Sequence, residues 1–175
     1  MISPPQPTIT SQSGSRVFAC FPAAVLTIVL NDQDQVLLLC HPDRPGRWEV
    51  VNGALEAGET VWDGALRECH EELGGEVKIR PITALHAMTV AYDDAVPNMI
   101  SLIFVAAYEG GAVRPGDDMA GSAQQWADID DVVAGKVDVI VPRSQPWLFS
   151  RAREVYQLWQ ADRVDLQIPL SAPHK

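Results

Sequence analysis

Residues 53–75 read GALEAGETVWDGALRECHEELGG, and the rest of the fold follows outward from them. Thr60 is a good helix N-cap because its hydroxyl can accept an orphan backbone N–H; Asp63 stands three residues on, and Gly74-Gly75 supplies a stop. The spacing therefore predicts a helix over 61–73. Val61, Trp62, Ala65, Leu66, Cys69 and Leu73 recur at three- and four-residue intervals, an apolar stripe meant for burial. Glu68, Glu71 and Glu72 fall at i, i+3 and i+4 on another face, so three carboxylates share one patch.

Like charges at those spacings repel by about 0.2–0.5 kcal/mol per pair. Arg67 can offset one of them. A divalent cation offsets more, since Mg²⁺ takes oxygen ligands and is commonly held by a few carboxylates together with substrate phosphates. The competing reading is a solvated Glu-rich face, the usual fate of an isolated E-x-x-E-E.

The patch is not isolated. Gly53, Glu59, Arg67, Glu68, Glu71, Glu72 and Gly74 all fall in register with G-x5-E-x7-R-E-U-x-E-E-x-G-U, where U is aliphatic. At ordinary residue usage, seven such matches arise by chance on the order of one time in a million. The stretch resembles the Nudix box, and the likeness runs outward: Val36–Leu39 and Trp48–Gly53 are similar to the strand, loop and strand that precede the box. Cys69 takes the first aliphatic position as a small hydrophobe. Gly75 takes the second, and Val51-Asn52 stands where Pro-Gly often precedes the box glycine.

The resemblance implies an α/β fold, a Nudix-type α/β/α sandwich with a mixed β sheet, the box helix carrying the metal site. It implies a hydrolase of nucleoside diphosphate derivatives that requires Mg²⁺ or Mn²⁺. On that resemblance Glu68 and Glu72 are metal ligands, and Glu71 either binds a second ion or helps activate water. Arg67 orients the carboxylates, Gly53 lets backbone approach and can offer a carbonyl ligand, and Glu59 fixes loop to helix. Glu56 is either a ligand or an exposed loop residue. Glu109, Asp117 and Asp118 are later acidic candidates for the base, and Asp118 is also read as a substrate-binding residue; the Asp117-Asp118 loop is similar to one that approaches the metal in related hydrolases.

Outside the box, Arg44 and Arg47 can reach a phosphate or stand as exposed loop arginines. Tyr92, Phe21 and Trp126 can stack on a base or belong to the core. Tyr92 lies near where dinucleoside polyphosphate hydrolases of this family carry a tyrosine, whereas the 116–118 loop resembles members of broader specificity. His41, His70, His86 and His174 have no partner at metal spacing and take no role. Two other readings compete: a non-catalytic nucleotide-sensing domain, which would have no chemical need for three carboxylates, and an isoprenoid diphosphate isomerase, which would need a reactive cysteine where Cys69 sits on the apolar stripe.

The chain's 175 residues are 47% hydrophobic and 21% charged, one globular domain by composition. Its net charge of −10 repels nucleic acid and anionic lipid, while metal-bridged phosphates on a small nucleotide substrate remain compatible. Cys20, Cys40 and Cys69 form neither a disulfide framework nor a zinc pattern, so a reducing cytoplasm is expected. With no export signal or apolar span expected either, no membrane partner is read.

Residues 1–15 are expected to be a flexible arm, 16–161 the Nudix domain and 162–175 a peripheral tail. Within the domain, Phe18–Leu30 and Val36–Leu39 predict an antiparallel strand pair. Further strands are expected at 77–79, 84–91, 99–108 and 124–127, with a hairpin turn at Glu109-Gly110-Gly111. Ser144 and Pro146 open a second helix with Leu148, Ala152, Val155, Tyr156 and Trp159 on one face. A homodimer is open: Val17–Leu30 or the helix at 146–159 can cover a partner or close the chain's own core.

Overall fold

A computed structural model describes residues 6–142 and 145–162. In chain order the elements are β1 (Thr8–Thr10), β2 (Val17–Ala19), β3 (Ala23–Leu30), β4 (Gln35–Cys40), β5 (Trp48–Glu49), β6 (Val51–Ala54), α1 (Val61–Leu73), β7 (Lys78–Val90) and β8 (Met99–Gly110). A 3-10 turn (Asp117–Met119), β9 (Ala123–Asp128), α2 (Ile129–Val133), β10 (Val139–Val141) and α3 (Pro146–Asp162) follow.

The central strand is β3. One edge pairs in parallel with β8 along its whole length, from Ala23 opposite Ile100 to Leu30 opposite Ala107. The other pairs antiparallel with β6 over Ala24–Thr27 and with β4 at Leu30. The main sheet is therefore mixed and eight-stranded. Ala23–Leu30 is almost continuously apolar because both of its faces are covered, as expected for an inner strand of a layered α/β fold.

Alternate residues meet different helices. Leu26, Ile28 and Leu30, with Ile103, Val105 and Ala107, pack against Leu148, Phe149, Ala152 and Tyr156 of α3. On the opposite face Val29 joins Cys69 and Leu73 of α1, while Val25 and Phe104 meet Ala65. Helices on both faces of a mixed sheet make the α/β sandwich that the box implied.

Helix α1 has the expected bounds. Thr60 accepts from Asp63 N–H at 3.1 Å, and the Gly74 N–H closes the last turn on His70 O at 3.0 Å. Its stripe is shifted from expectation: Val61 is exposed and Trp62 and Leu66 only half-buried, whereas Glu68 and Glu72 are buried with Ala65, Cys69 and Leu73.

Elsewhere the structure corrects the sequence. Phe18–Leu30 is two strands, interrupted at Cys20–Pro22. The first of them, β2, pairs not with the sheet but with Thr8–Thr10 inside the expected arm; all six residues of this hairpin are exposed. The segments read as separate strands at 77–79 and 84–91 are one strand, β7, whose Pro81 is tolerated because β7 is the edge of the sheet.

No hairpin forms at Glu109-Gly110-Gly111. The β7–β8 hairpin closes instead through 91–98, where Tyr92 N–H donates to Val96 O at 3.0 Å. Gly110 and Gly111 adopt φ of 118° and 95° and turn the chain out of the sheet. It then runs to the end of α1: Arg114 N–H bonds Leu73 O at 2.7 Å and Gly116 N–H bonds Glu72 O at 3.3 Å. That detour delivers Asp117-Asp118 beside the carboxylate helix. Ser144 and the tail from 163 lie outside the described residues.

Candidate active site

Two of the three box carboxylates are taken out of solvent. Glu72 is 2% exposed and its Oε2 accepts from the backbone N–H of Asn52 at 3.2 Å. Glu68 is 9% exposed and lies over the backbone of Gly53 so closely that a Cβ there would overlap its carboxylate. Only glycine at 53 lets α1 carry a carboxylate this near to β6. A solvated Glu-rich face does not look like this; Glu71 alone remains substantially open.

Arg67 organises the patch. Its Nε and Nη2 grip the Glu59 carboxylate at 3.1 and 2.9 Å, its Nη1 donates to Glu68 and Glu71 at 2.8 Å each, and Nη2 also reaches Ala54 O at 3.0 Å. Glu59 Oε1 in turn accepts from Glu56 N–H at 2.6 Å, tying the loop after β6 to the helix. Glu56 itself is exposed. The Arg67 bond holds the Glu59 carboxyl below its ordinary range.

Burial pushes Glu72 up to about 9, the Asn52 N–H opposes the shift, and the like charges of Asp118, Glu68 and Glu49 add to it. Glu68 is raised for the same first reason, with Arg67 pulling the other way and Glu71 and Asp118 reinforcing it. Buried carboxylates under one another's charge are what a cation relieves.

Among the described residues, no three His, Cys, Asp or Glu groups already stand together at ligating distance. The donors nonetheless fit a hard divalent ion, since Glu68, Glu71, Glu72 and Asp118 are all carboxylates, with no imidazole or thiolate among them. Cys69 is buried in the core and its thiol is pushed up to about 12 by burial, so it is no nucleophile.

The remaining candidates separate. Arg44 joins the site's border through Glu49, Nη2 to Oε1 at 2.9 Å. Arg47 pairs with Asp138, just before β10, Nε to Oδ2 at 3.9 Å. Tyr92, 71% exposed, belongs to the β7–β8 connection, and no bond ties it to the box carboxylates. Trp126 packs edge-on against Tyr108 at 5.0 Å in the α1-side core, and Phe21 stays on the surface.

Glu109 pairs with Arg80 and lines a cavity of about 540 Å³ with Tyr156 and Trp159, away from the box. His41 caps Asp43, His86 meets the Trp147 ring, and His174 lies outside the described residues. Sequence reasoning missed Glu49 and Asn52. The available signal was an acid inside the otherwise apolar strand run Trp48-Glu49-Val50-Val51, followed by an amide at its end.

A profile for the NUDIX domain matches residues 21–148, and the chain belongs to the Nudix hydrolase family. Among curated relatives it is 33% identical over 122 residues to the NAD-capped RNA hydrolase NudC of Vibrio parahaemolyticus, covering 67% of this chain and 41% of that protein. The chain thus spans about two fifths of that relative's length. Among solved structures, a UDP-X diphosphatase superposes with TM-score 0.62 at 17% identity, covering 80% of this chain and 64% of that one. An ADP-ribose pyrophosphatase from Streptococcus suis gives 0.60 at 14% identity, covering 78% and 92%. Among the described residues no helix is long and apolar enough to cross a membrane.

Proposed function

We propose that this chain is a divalent-metal-dependent pyrophosphohydrolase that cleaves the diphosphate bridge of a small nucleoside diphosphate derivative: a nucleotide sugar, a dinucleoside polyphosphate or a (d)NTP. The observation that carries this reading is the burial of Glu68 and Glu72 against Gly53 and Asn52. Buried carboxylates cost stability unless a partner offsets them, and Arg67 serves Glu68 but not Glu72.

Glu68 and Glu72 would hold Mg²⁺ or Mn²⁺, with Glu71 and the Gly53 carbonyl as further oxygen donors. When bound, the cation orders the diphosphate, withdraws charge from the bridge and acidifies a water. Water adds to one phosphorus, the bridging P–O bond breaks, and the bridging oxygen leaves on the other phosphate. Asp118, whose charge is felt by both Glu68 and Glu72, would contact the substrate or take the proton from the attacking water. Arg67 keeps Glu68 and Glu71 in place throughout. Arg44, held at the site's border by Glu49, would meet the substrate's phosphate, while Arg47 and Tyr92 would keep only a peripheral part in binding.

The chain's relative from Vibrio is named for hydrolysis of NAD-capped RNA, and NAD contains a nucleoside diphosphate bridge, which supports the substrate class. Three cysteines free of disulfides suit a reducing cytoplasm.

The test is a panel with Mg²⁺ and Mn²⁺ over ADP-ribose, dinucleoside polyphosphates, nucleotide sugars and (d)NTPs, with Glu72→Gln beside the parent. Turnover that collapses at least 100-fold in the variant is expected. No turnover by a folded protein that still binds a nucleotide would replace this reading with that of a sensing domain.

A further inference from the structure

Glu49 is an expensive residue. It sits in β5, an inner strand flanked by Leu39 of β4 and Val141 of β10, and is 4% exposed. Its neighbours Trp48 and Val50 go to the α3-side core, so Glu49 faces the α1 side beside the box carboxylates. An apolar residue would fill an inner strand at far lower cost, because a carboxylate buried there must be desolvated. It also adds a like charge to the field on Glu72.

What the carboxylate does is written in its bonds. Oε1 accepts from Arg44 Nη2 at 2.9 Å, and Oε2 accepts from Asn52 Nδ2 at 3.4 Å. Asn52 Nδ2 also donates to Val50 O at 2.9 Å, and the Asn52 backbone N–H donates to Glu72 Oε2 at 3.2 Å. A continuous chain therefore runs from the polar loop at 41–47 through Arg44, Glu49 and Asn52 to Glu72.

We propose that Glu49 is a positioning residue of this site: anchored by Arg44, its carboxylate fixes Asn52 so that the Asn52 backbone N–H meets Glu72 and sets that ligand's orientation. The proposal rests on the pyrophosphohydrolase reading for its purpose, but not for its test. Partners behind a ligand carboxylate commonly change metal affinity or activity by 10–100-fold when removed.

Two variants separate position from mere folding. Glu49→Leu removes both bonds, whereas Glu49→Gln keeps the volume and an amide oxygen for Asn52 Nδ2 but loses the charge-assisted bond to Arg44. Mn²⁺ titrated against the whole chain, with free Mn²⁺ followed by electron paramagnetic resonance, gives Kd without any substrate. The expected result is Kd raised 10–100-fold in Glu49→Leu and by a clearly smaller factor in Glu49→Gln. Arg44→Leu should weaken Mn²⁺ binding too, and Arg44→Leu/Glu49→Leu should be no worse than Glu49→Leu alone, since both act through one chain.

Kd within twofold of the parent in both Glu49 variants overturns the proposal, as does strict additivity of Arg44→Leu and Glu49→Leu. If Glu49→Leu fails to fold, the Glu49→Gln comparison decides: a lowered melting temperature with unchanged Kd means a structural role only and overturns it. A parent that binds Mn²⁺ but hydrolyses nothing in the panel sinks the functional reading alone. A parent that binds no Mn²⁺ sinks both.

Discussion

Replacing Arg67 by lysine tests the organisation of the site most directly. Arg67 makes five hydrogen bonds, four of them to carboxylates of Glu59, Glu68 and Glu71. A planar guanidinium can hold several oxygens in a fixed fork, whereas an ammonium on the same stem is a point charge that serves about one carboxylate well. Glu71 is the most open of the three, so its bond contributes least. Glu59 and Glu68, at 16% and 12% side-chain exposure, matter more. Losing roughly two charge-assisted bonds at about 1.5 kcal/mol each gives a loss of about 3 kcal/mol. For a chain of this size that is a fall in Tm of roughly 6–12 °C.

The assay is urea and thermal unfolding of the metal-free protein followed by circular dichroism, then repeated in Mg²⁺. Part of the loss should return with the cation, since the uncovered carboxylates then have another partner. Hydrolysis should fall as well, because Glu68 and Glu71 lose their common anchor. A variant within 0.5 kcal/mol of the parent and equally active, as ordinary surface substitutions are, would show that the guanidinium fork does not organise the site.

Two further outcomes follow from the same geometry. In Gly53→Ala the Glu68 carboxylate must withdraw by about 1 Å or more, a misplacement that costs on the order of 100-fold in rate; kcat/KM on the substrate found in the panel should drop by that factor with little change in the circular dichroism spectrum, and unchanged turnover would show that Glu68 need not lie there. For Glu72 the carboxyl is raised from 4.5 to about 9 by burial, so its contribution to stability is complete below pH 4.5 and is lost as pH climbs toward 9. Urea midpoints of the metal-free protein should therefore fall between pH 5 and pH 9, and Mg²⁺, which favours the ionised form, should flatten the fall; a midpoint independent of pH in Glu72→Gln but not in the parent assigns the effect to this residue.

Much of this was legible in the sequence because it depends on neighbours a few residues apart. Thr60, Asp63 and Gly74 set both ends of α1 through bonds within one turn, and the i, i+3, i+4 spacing put Glu68, Glu71 and Glu72 on one face whatever the helix packed against. Val36–Leu39 and Met99–Tyr108 announced strands by composition alone.

The failures share a cause. Gly110-Gly111 is a turn signal in any chain, but whether it closes a hairpin or sends the chain out of the sheet depends on what waits at the end of α1. In the same way, that Arg44 pairs with Glu49 while Arg47, three residues on, pairs with Asp138 depends on strands brought together from distant parts of the chain.

The helix, its caps, the box and the family could thus be read from the order of the residues alone. Which carboxylates are buried, that Arg67 grips Glu59 as firmly as Glu68, that Asp118 comes to the end of α1, and that Glu49 reaches Glu72 through Asn52 all came from packing between distant segments. The first set rests on local bonds and periodicity. The second rests on the register of β6 against β3, which fixes how near Gly53 and Asn52 stand to the helix that follows them in the chain and packs directly on their face of the sheet.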